Sequence, residues 1–274
     1  MTSRIVYTPR GIKKSRSLRL PLMGVAASVA IIAAAALIIA TLRSPALRIK
    51  TVAVSGADIL DPGAIRDAAL ATLAGSRWLV IPRASFFLAD GSLVARDLEY
   101  NFPSIRSVNV SREFPATLRV DIAERDFWGI YCNGLESSST PVCAFMDLSG
   151  FAYARSPEPR GVLVRIVRSD ITDPPVVGSQ ALNPGLMETI RALERDIPAY
   201  AGVEIREFHF SARIPSEISV IAREGFTLIV KREDDGDTAL RALARVLAEE
   251  IRERRPQLDY IDLRFGNKVF YKLR

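Results

Sequence analysis

An apolar run from Leu22 to Leu42 most constrains what this chain can fold into. The run contains no charged residue and is flanked by Arg19 and Arg43. As an α-helix rising about 1.5 Å per residue it would span roughly 31 Å, which matches the hydrocarbon core of a bilayer. A core helix rarely runs this long without a polar face, and a cleaved signal peptide has a shorter apolar region followed by a small-residue cleavage site. The sequence therefore predicts an uncleaved transmembrane helix over residues 22–42.

Basic residues around this run predict its orientation. Residues 1–19 hold six basic side chains and no acidic one, whereas the opposite flank, residues 43–50, holds three basic side chains. Because Lys and Arg accumulate on the cytoplasmic side of a membrane, we expect residues 1–21 to form a cytoplasmic basic tail that also touches membrane lipid. The chain is thus predicted to be a single-pass protein of the cytoplasmic (inner) membrane, with its later domains outside the cytoplasm.

The formal net charge of +6 belongs to this anchor and not to the outer part of the chain. The first 50 residues contain nine basic residues and no acidic one, so residues 51–274 carry 28 basic against 31 acidic side chains. A nucleic-acid-binding domain needs a basic face, and this balance argues against one. The outer part is long enough for one large domain or two small ones.

Residues 48–124 show the pattern of a small sheet covered by two helices. Alternating apolar residues predict strands over residues 49–56, 105–112 and 117–124. A helix is predicted after Asp61-Pro62, because aspartate caps a helix N-terminus and proline suits its first position. A second helix is predicted from near Asp90 to Asn101, because Val94 and Leu98 lie one turn apart. The predicted order is β-α-α-β-β. The pairs Phe102-Pro103 and Phe114-Pro115 are expected to end a helix and a strand and to place their aromatic rings in the core.

This order and two sequence motifs resemble a known family. The motifs are Val-x-Val-x-Gly at residues 52–56 and the continuous run from Phe102 to Arg125. Together, behind an N-terminal anchor, they resemble the bacterial cell-division family FtsQ/DivIB. The resemblance implies an α+β protein with one transmembrane helix, a POTRA domain over residues 48–124 and a C-terminal β domain over residues 125–274.

The C-terminal part is predicted to be a mixed or antiparallel β-sheet with helices on one face. Amphipathic periodicity predicts helices over residues 184–197, ended by Pro198, and over residues 237–254. A two-residue turn, Gly266-Asn267, predicts a closing hairpin between two alternating segments. Segments 147–153, 260–265 and 269–271 also resemble the family's sequences.

Two cysteines, Cys132 and Cys143, border a polar loop outside the predicted membrane span. A loop-closing disulfide is favoured if that compartment is oxidising. A structural metal site is disfavoured, because two thiols without a nearby histidine cannot supply a tetrahedral ligand set.

Residues for catalysis are not recognisable in the sequence. His209, the single histidine, lies in a predicted strand, and the nucleophile, nucleotide and zinc motifs are missing. The acidic run 234–237 lacks the twelfth-position ligand of a calcium loop and suits a helix cap instead. We therefore expect no enzymatic activity, no catalytic residue, no cofactor and no bound metal.

The resemblance implies a divisome scaffold that binds FtsB-like and FtsL-like proteins through its second domain, among other membrane proteins of the division septum. We expect the POTRA domain to recruit the chain to the septum and the last hairpin to bind partners by strand addition. The residues expected at that contact are Tyr260, Ile261, Asp262, Leu263, Arg264, Phe265, Lys268, Val269, Phe270 and Tyr271.

Two alternatives stay open from the sequence. The lysines of the last strand could only protect a sheet edge against aggregation. A POTRA-type chaperone or transport-coupling protein of the cell envelope is the second candidate function, although such proteins usually carry tandem POTRA repeats and the sequence shows one unit.

Overall fold

The computed structural model of the chain describes residues 19–77, 81–134, 141–159, 164–171, 173–211, 213–232 and 236–274. The predicted cytoplasmic tail falls almost wholly outside these ranges, as do most of the loop between the cysteines and most of the acidic run before residue 237.

The first helix, α1 (Arg19–Arg43), includes the whole apolar run. It is long and apolar enough to cross a membrane, and none of its residues from Val25 onward is buried by the rest of the protein. A helix whose apolar side chains stay exposed is not the core helix of a globular domain, because a core helix buries its apolar face.

A three-stranded sheet with two helices follows a 3-10 turn at Pro45–Leu47. Its elements are β1 (Thr51–Ser55), α2 (Pro62–Thr72), the short strands β2 (Ser76–Arg77) and β3 (Ile81–Pro82), α3 (Gly91–Asn101), β4 (Ile105–Glu113) and β5 (Thr117–Glu124). The strand order is β1-β5-β4, with β5 parallel to β1 and antiparallel to β4. The predicted β-α-α-β-β order is confirmed, with β2 and β3 as an added small ribbon.

Aspartate caps and apolar spacing explain why these two helices form. Asp61 accepts hydrogen bonds from the first backbone amides of α2, and Asp90 does the same for α3. These bonds satisfy amides that have no partner inside the helix. The inward residues of the two helices pack with sheet residues in one buried core. The helix side contributes Ile65, Ala69, Leu73, Val94 and Leu98, and the sheet contributes Val52, Leu118 and Val120.

Strand β4 ends at Glu113, so Phe114-Pro115 ends the strand as expected, but the expected core position of the Phe114 ring is wrong. Its side chain is 71% exposed, and its ring meets only the edge of Phe86, at 5.8 Å between centroids. Phe102, by contrast, is partly buried and packs against the core. The turn from β4 to β5 projects beyond the end of the sheet, so a side chain at its tip cannot reach the layer between sheet and helices.

The second sheet has ten strands and two covering helices. Its elements are β6 (Gly129–Asn133), β7 (Cys143–Met146), β8 (Phe151–Ser156), β9 (Ile166–Ser169), β10 (Ser179–Gln180), α4 (Pro184–Ala201), β11 (Ile205–Phe210), β12 (Glu217–Ala222), β13 (Thr227–Lys231), α5 (Gly236–Val246), β14 (Leu258–Phe265) and β15 (Lys268–Leu273). The order is β10-β8-β7-β6-β9-β11-β12-β13-β14-β15. The sheet is mixed, because β9 runs parallel to β6 and β11, and β13 runs parallel to β14.

Both helices lie on one face of this sheet and bury a single apolar core with it. Their inward residues include Ile190 and Ile197 of α4 and Leu240 and Leu243 of α5. The structure is therefore α+β, as predicted.

Both predicted helix ends need correction. Helix α4 continues through Pro198 to Ala201 and ends at Gly202, whose φ of 61° is left-handed. Proline lacks only its own amide, so in the last turn it removes one intrahelical hydrogen bond and the helix can continue. Helix α5 is regular only to Val246, and the predicted remainder to residue 254 forms a π-helical turn (Leu247–Ile251) and part of a 3-10 turn (Arg252–Gln257).

The two sheets meet around Arg125, the residue that follows β5. Its guanidinium donates to Asp147 at 2.6 Å and to the Pro103 carbonyl at 3.0 Å, and it lies 3.8 Å from the centre of the Phe151 ring. Burial raises the pKa of Asp147, but hydrogen bonds from Ser149, Arg125 and backbone amides outweigh it and lower that pKa. The carboxylate at this junction is thus held ionised.

Cys132 and Cys143 are register partners on β6 and β7, and their sulfur atoms are joined at 1.99 Å. The disulfide closes the loop between these strands. It lies in a small apolar cluster with Ile130, on the sheet face opposite the helices.

Candidate partner-binding edge

The ten-stranded sheet ends at β15, which pairs with β14 on its inner side. In an antiparallel pair, alternate backbone N–H and C=O groups of the terminal strand point away from the sheet. Among the described residues, no side chain is hydrogen-bonded to the backbone of Lys268–Leu273. Within the described ranges, the outward-facing backbone groups of β15 therefore have no side-chain partner, as strand addition at a sheet edge requires.

A tight turn fixes the register of this hairpin. Gly266 has a φ of 63°, which a two-residue hairpin turn of the common primed type requires. Phe265 then faces Lys268, and the register shifts by one residue before Asp262 faces Phe270. Such a bulge increases the local twist of the strands and re-aims the side chains at the end of the hairpin.

The hairpin end carries an exposed aromatic pair. Phe265 and Phe270 are 54% and 53% exposed, and their rings meet edge to face at 5.2 Å. Tyr271 is 37% exposed and, as the neighbour of Phe270 in a strand, points to the opposite face. Large apolar groups on both faces of an open edge can contact the side chains of an added strand.

Hydrogen bonds between charged side chains lie within β14 and link it to β12 near the aromatic pair. Arg264 donates to both carboxylate oxygens of Asp262, at 2.9 and 2.6 Å, and also to Glu217 of β12. The hydrogen bonds from Arg264 hold the pKa of Asp262 below its usual value. The hydrogen bond to Asp262, and to a smaller extent the one to Glu217, raises the pKa of Arg264. The Arg264 guanidinium also lies 5.7 Å from the Phe265 ring centre. These contacts restrain the aromatic end of the hairpin.

The structure divides the residues expected at the partner contact into two groups. Ile261, Asp262 and Leu263 are at most 6% exposed, so they support the hairpin from inside. Val269 is partly buried and packs against the main core. The residues that reach the surface at or beside the edge are Tyr260, Arg264, Phe265, Lys268, Phe270 and Tyr271.

Two residues of this site were not predicted from the sequence. Glu217 reaches Arg264 from a strand 47 positions earlier, and Asp259 pairs with Lys272 at 3.1 Å across the hairpin. The pairing of Asp259 with Lys272 could have been predicted from the hairpin, because the start of β14 faces the end of β15. Glu217 had no sequence signal, because β13 and a helix separate it from β14 along the chain.

The sheet of residues 51–124 has a different outer edge. Its strand β4 is also terminal, but the Val108 amide donates to the Glu99 carboxylate of α3 at 3.2 Å. An edge amide bonded in this way has lost its donor for an incoming strand.

His209 belongs to a buried charge cluster and not to a separate site. Glu207 lies 3.0 Å from Arg168, 2.9 Å from Arg206 and 3.3 Å from His209. Burial raises the pKa of Glu207, but hydrogen bonds and charge from these three partners lower it to about 2. Within the described ranges, no group of three or more His, Cys, Asp or Glu residues could hold a metal ion.

An apolar helix followed by a β-α-α-β-β unit and a larger mixed sheet defines a POTRA protein with an N-terminal apolar helix. Residues 47–125 match the family model described as "POTRA domain, FtsQ-type". The chain therefore carries an FtsQ-type POTRA domain, and with its apolar helix it is consistent with the FtsQ/DivIB family of bacterial cell-division proteins. No curated protein sequence matches the chain significantly.

Proposed function

We propose that this protein is a non-enzymatic divisome scaffold that binds FtsB-like and FtsL-like division proteins by strand addition at β15. In this role it links early and late cell-division proteins at the septum. The FtsQ-type POTRA domain suggests the cell-division scaffold role. The open edge of β15, with Phe270 and Tyr271 exposed on it, is the observation that carries the binding site.

The proposed topology follows from α1. We propose that this helix spans the inner membrane once, with the basic tail in the cytoplasm and both sheets outside it. Such an anchor would hold β15 in the same compartment as the outer segments of its small membrane partners.

The chemistry of the edge favours an extended apolar segment as the bound element. Backbone hydrogen bonds would supply sequence-independent affinity, and contacts between the partner's side chains and the exposed rings of Phe265 and Phe270 would supply selectivity. Lys268 and Lys272 discourage random strand pairing. Because Lys272 already pairs with Asp259 of β14, Lys268 is the residue that favours an acidic side chain at the facing position of a partner strand.

The decisive experiment measures binding of the full chain, in nanodiscs, to the outer segments of the FtsB-like and FtsL-like proteins of the same organism. Phe270→Glu with Tyr271→Glu should weaken binding by about 100-fold or more, because exposed aromatic anchors usually dominate such interfaces. The matched control places Asn109→Glu with Ser111→Glu on the exposed positions of β4 and should leave binding unchanged.

Circular dichroism would verify that both variants keep the fold. Full binding by the β15 variant, or loss of binding by the β4 variant, would contradict the proposed site. Binding of unfolded clients in place of these partners would favour the chaperone function instead.

A further inference from the structure

Three phenylalanines form an exposed cluster on the POTRA domain. The ring of Phe86 meets those of Phe87 and Phe114 edge to face, at 5.6 and 5.8 Å between centroids. Phe87 is 52% exposed and Phe114 is 71% exposed. Contiguous exposed aromatic surface of this kind marks a binding surface more often than a single exposed side chain does. We refer to Phe86, Phe87 and Phe114 as the Phe86 cluster.

The Phe86 cluster is tied to the segment that leaves α1. The Phe86 amide donates to the Leu47 carbonyl at 2.8 Å, and the Ile49 amide donates to the Ala84 carbonyl at 2.8 Å. Three residues, 44–46, lie between the end of α1 at Arg43 and Leu47, which makes this contact. Because an extended chain reaches at most about 3.5 Å per residue, the cluster lies within roughly 15 Å of the helix end.

The strand directions place Phe114 at the same end of the domain. Strand β5 is parallel to β1 and antiparallel to β4, so the turn from β4 to β5 lies beside the start of β1. The Lys50 amide donates to the Ala116 carbonyl of that turn at 3.0 Å. The opposite end of the sheet lies one strand length away, about 17 Å for five residues.

The chain segments that form and contact the cluster are rich in basic residues. The three segments that meet there, 43–50, 81–89 and 112–117, carry five basic residues and one acidic residue: Arg43, Arg48, Lys50, Arg83 and Arg112 against Glu113. Arg112 also donates to the carbonyls of Phe86 and Phe87 at 3.1 Å each, which fixes the phenylalanine segment to β4. Aromatic groups rimmed by basic ones suit the boundary between lipid acyl chains and phosphate headgroups.

We propose that the Phe86 cluster inserts into the membrane interface at the C-terminal end of α1. This contact would fix the orientation of the POTRA domain relative to the bilayer. This inference rests on the proposed membrane-spanning role of α1. Interfacial side chains of this type bury roughly 5–10 Å into the headgroup region, and the surrounding Arg and Lys residues contact lipid phosphates. The cluster thereby sets the direction in which the second sheet projects from the membrane.

The test uses tryptophan fluorescence of the full chain in vesicles containing lipids brominated on the acyl chains, which quench tryptophan on contact. Phe114→Trp reports on the cluster. Tyr100→Trp is the matched control, because Tyr100 is 84% exposed and lies near the C-terminal end of α3. The N-terminal end of α3 follows the cluster in the chain, and Tyr100 lies about 15 Å along the helix from it. Ala35→Trp, within α1, reports on the anchor itself. The emission of the two native tryptophans is subtracted using the unmodified chain.

We expect brominated lipid to quench the added emission of Phe114→Trp about threefold more than that of Tyr100→Trp, as interfacial insertion requires. Quenching at residue 35 with equal, weak quenching at residues 114 and 100 would overturn the inference while leaving the anchor intact. Absence of quenching at residue 35 would overturn the anchor and the inference together. Shielding of residue 114 only after a protein partner is added would identify a protein-binding surface instead.

Discussion

The POTRA domain and the second sheet have a similar build, but the hydrogen bonding at their terminal strands β4 and β15 differs. Each is a sheet with two helices on one face and its own buried core. At the POTRA edge, Glu99 of α3 accepts a hydrogen bond from the β4 backbone, whereas the β15 backbone meets no side chain among the described residues. Whether the backbone amides of a terminal strand are already hydrogen-bonded depends on the side chains that a neighbouring helix places beside that strand. Two sheets of similar build can therefore differ in whether their terminal strand is available to pair with another strand.

The two layers also differ in buried charge. The POTRA core buries one polar side chain, that of Ser85, whereas the second sheet buries Arg168, Glu207, Asp147 and Asp262 among others in the described ranges. A buried carboxylate whose pKa is lowered in the folded state stabilises the fold only while it is ionised, so the second sheet should be the more sensitive of the two to acid.

The largest expected effect tests whether the two cores are independent. Leu98→Ala should lower the free energy of unfolding of the POTRA domain by about 3–4 kcal/mol, because it empties a fully buried site. Leu243→Ala should do the same to the second sheet alone. Calorimetry of the full chain measures both unfolding transitions. An equal shift of both transitions by either variant would contradict the comparison.

The next effect tests the difference in buried charge. The pKa of Glu207 is lowered from 4.5 to about 2, so the folded protein binds this proton more weakly than the unfolded chain does. The resulting stability, about 3 kcal/mol, is fully present above pH 4.5 and is lost as the pH falls towards 2.

Denaturant unfolding of the second sheet between pH 7 and pH 2.5 measures this loss. Glu207→Gln cannot titrate, so its pH dependence should be shallower by that amount even though the variant is less stable at pH 7. Parallel pH profiles for the variant and the unmodified chain would show that Glu207 does not contribute.

A smaller effect tests the junction between the two layers. Arg125→Ala removes the contacts to Asp147, Pro103 and the Phe151 ring and should cost about 2 kcal/mol. The two unfolding transitions should also separate in temperature. Arg125→Lys keeps the charge but not the planar fork and should recover only part of the loss. Unchanged transitions in Arg125→Ala would mean that other contacts hold the junction.

The smallest effect concerns the closed edge. Glu99→Ala should destabilise the POTRA domain by only about 0.5–1 kcal/mol, because one exposed hydrogen bond is lost. Amide hydrogen exchange at Val108 should become faster, while Glu99→Gln, which keeps an acceptor, should stay close to the unmodified chain. Unaltered exchange in Glu99→Ala would remove the distinction between the two edges.

Local patterns predicted most of the secondary structure correctly. Alternating valines, aspartate caps and the Gly266-Asn267 turn act within a few residues of one another, so the sequence displays them directly. The ends of α4 and α5 were predicted less well. Pro198 was expected to end a helix that continues past it, because burial of Ile197 and Ala201 favours the last turn despite one lost hydrogen bond.

Side-chain exposure at the candidate site was the least predictable feature. The hairpin and its two-residue turn were readable from the sequence. The one-residue register shift between Asp262 and Phe265 was not, and the burial of Ile261, Asp262 and Leu263 depends on strands and helices far along the chain. The same holds for Phe114, which lies on the surface because its turn extends past the sheet.

The sequence by itself determined the apolar helix, the β-α-α-β-β unit and the final hairpin, because charge, hydrophobic period and turn chemistry are local properties. Only the tertiary structure decided that β15 ends a ten-stranded sheet, that Glu217 restrains Arg264 and that Glu99 closes the β4 edge. These contacts join residues distant in sequence, and they form only after the layers have packed around their two cores.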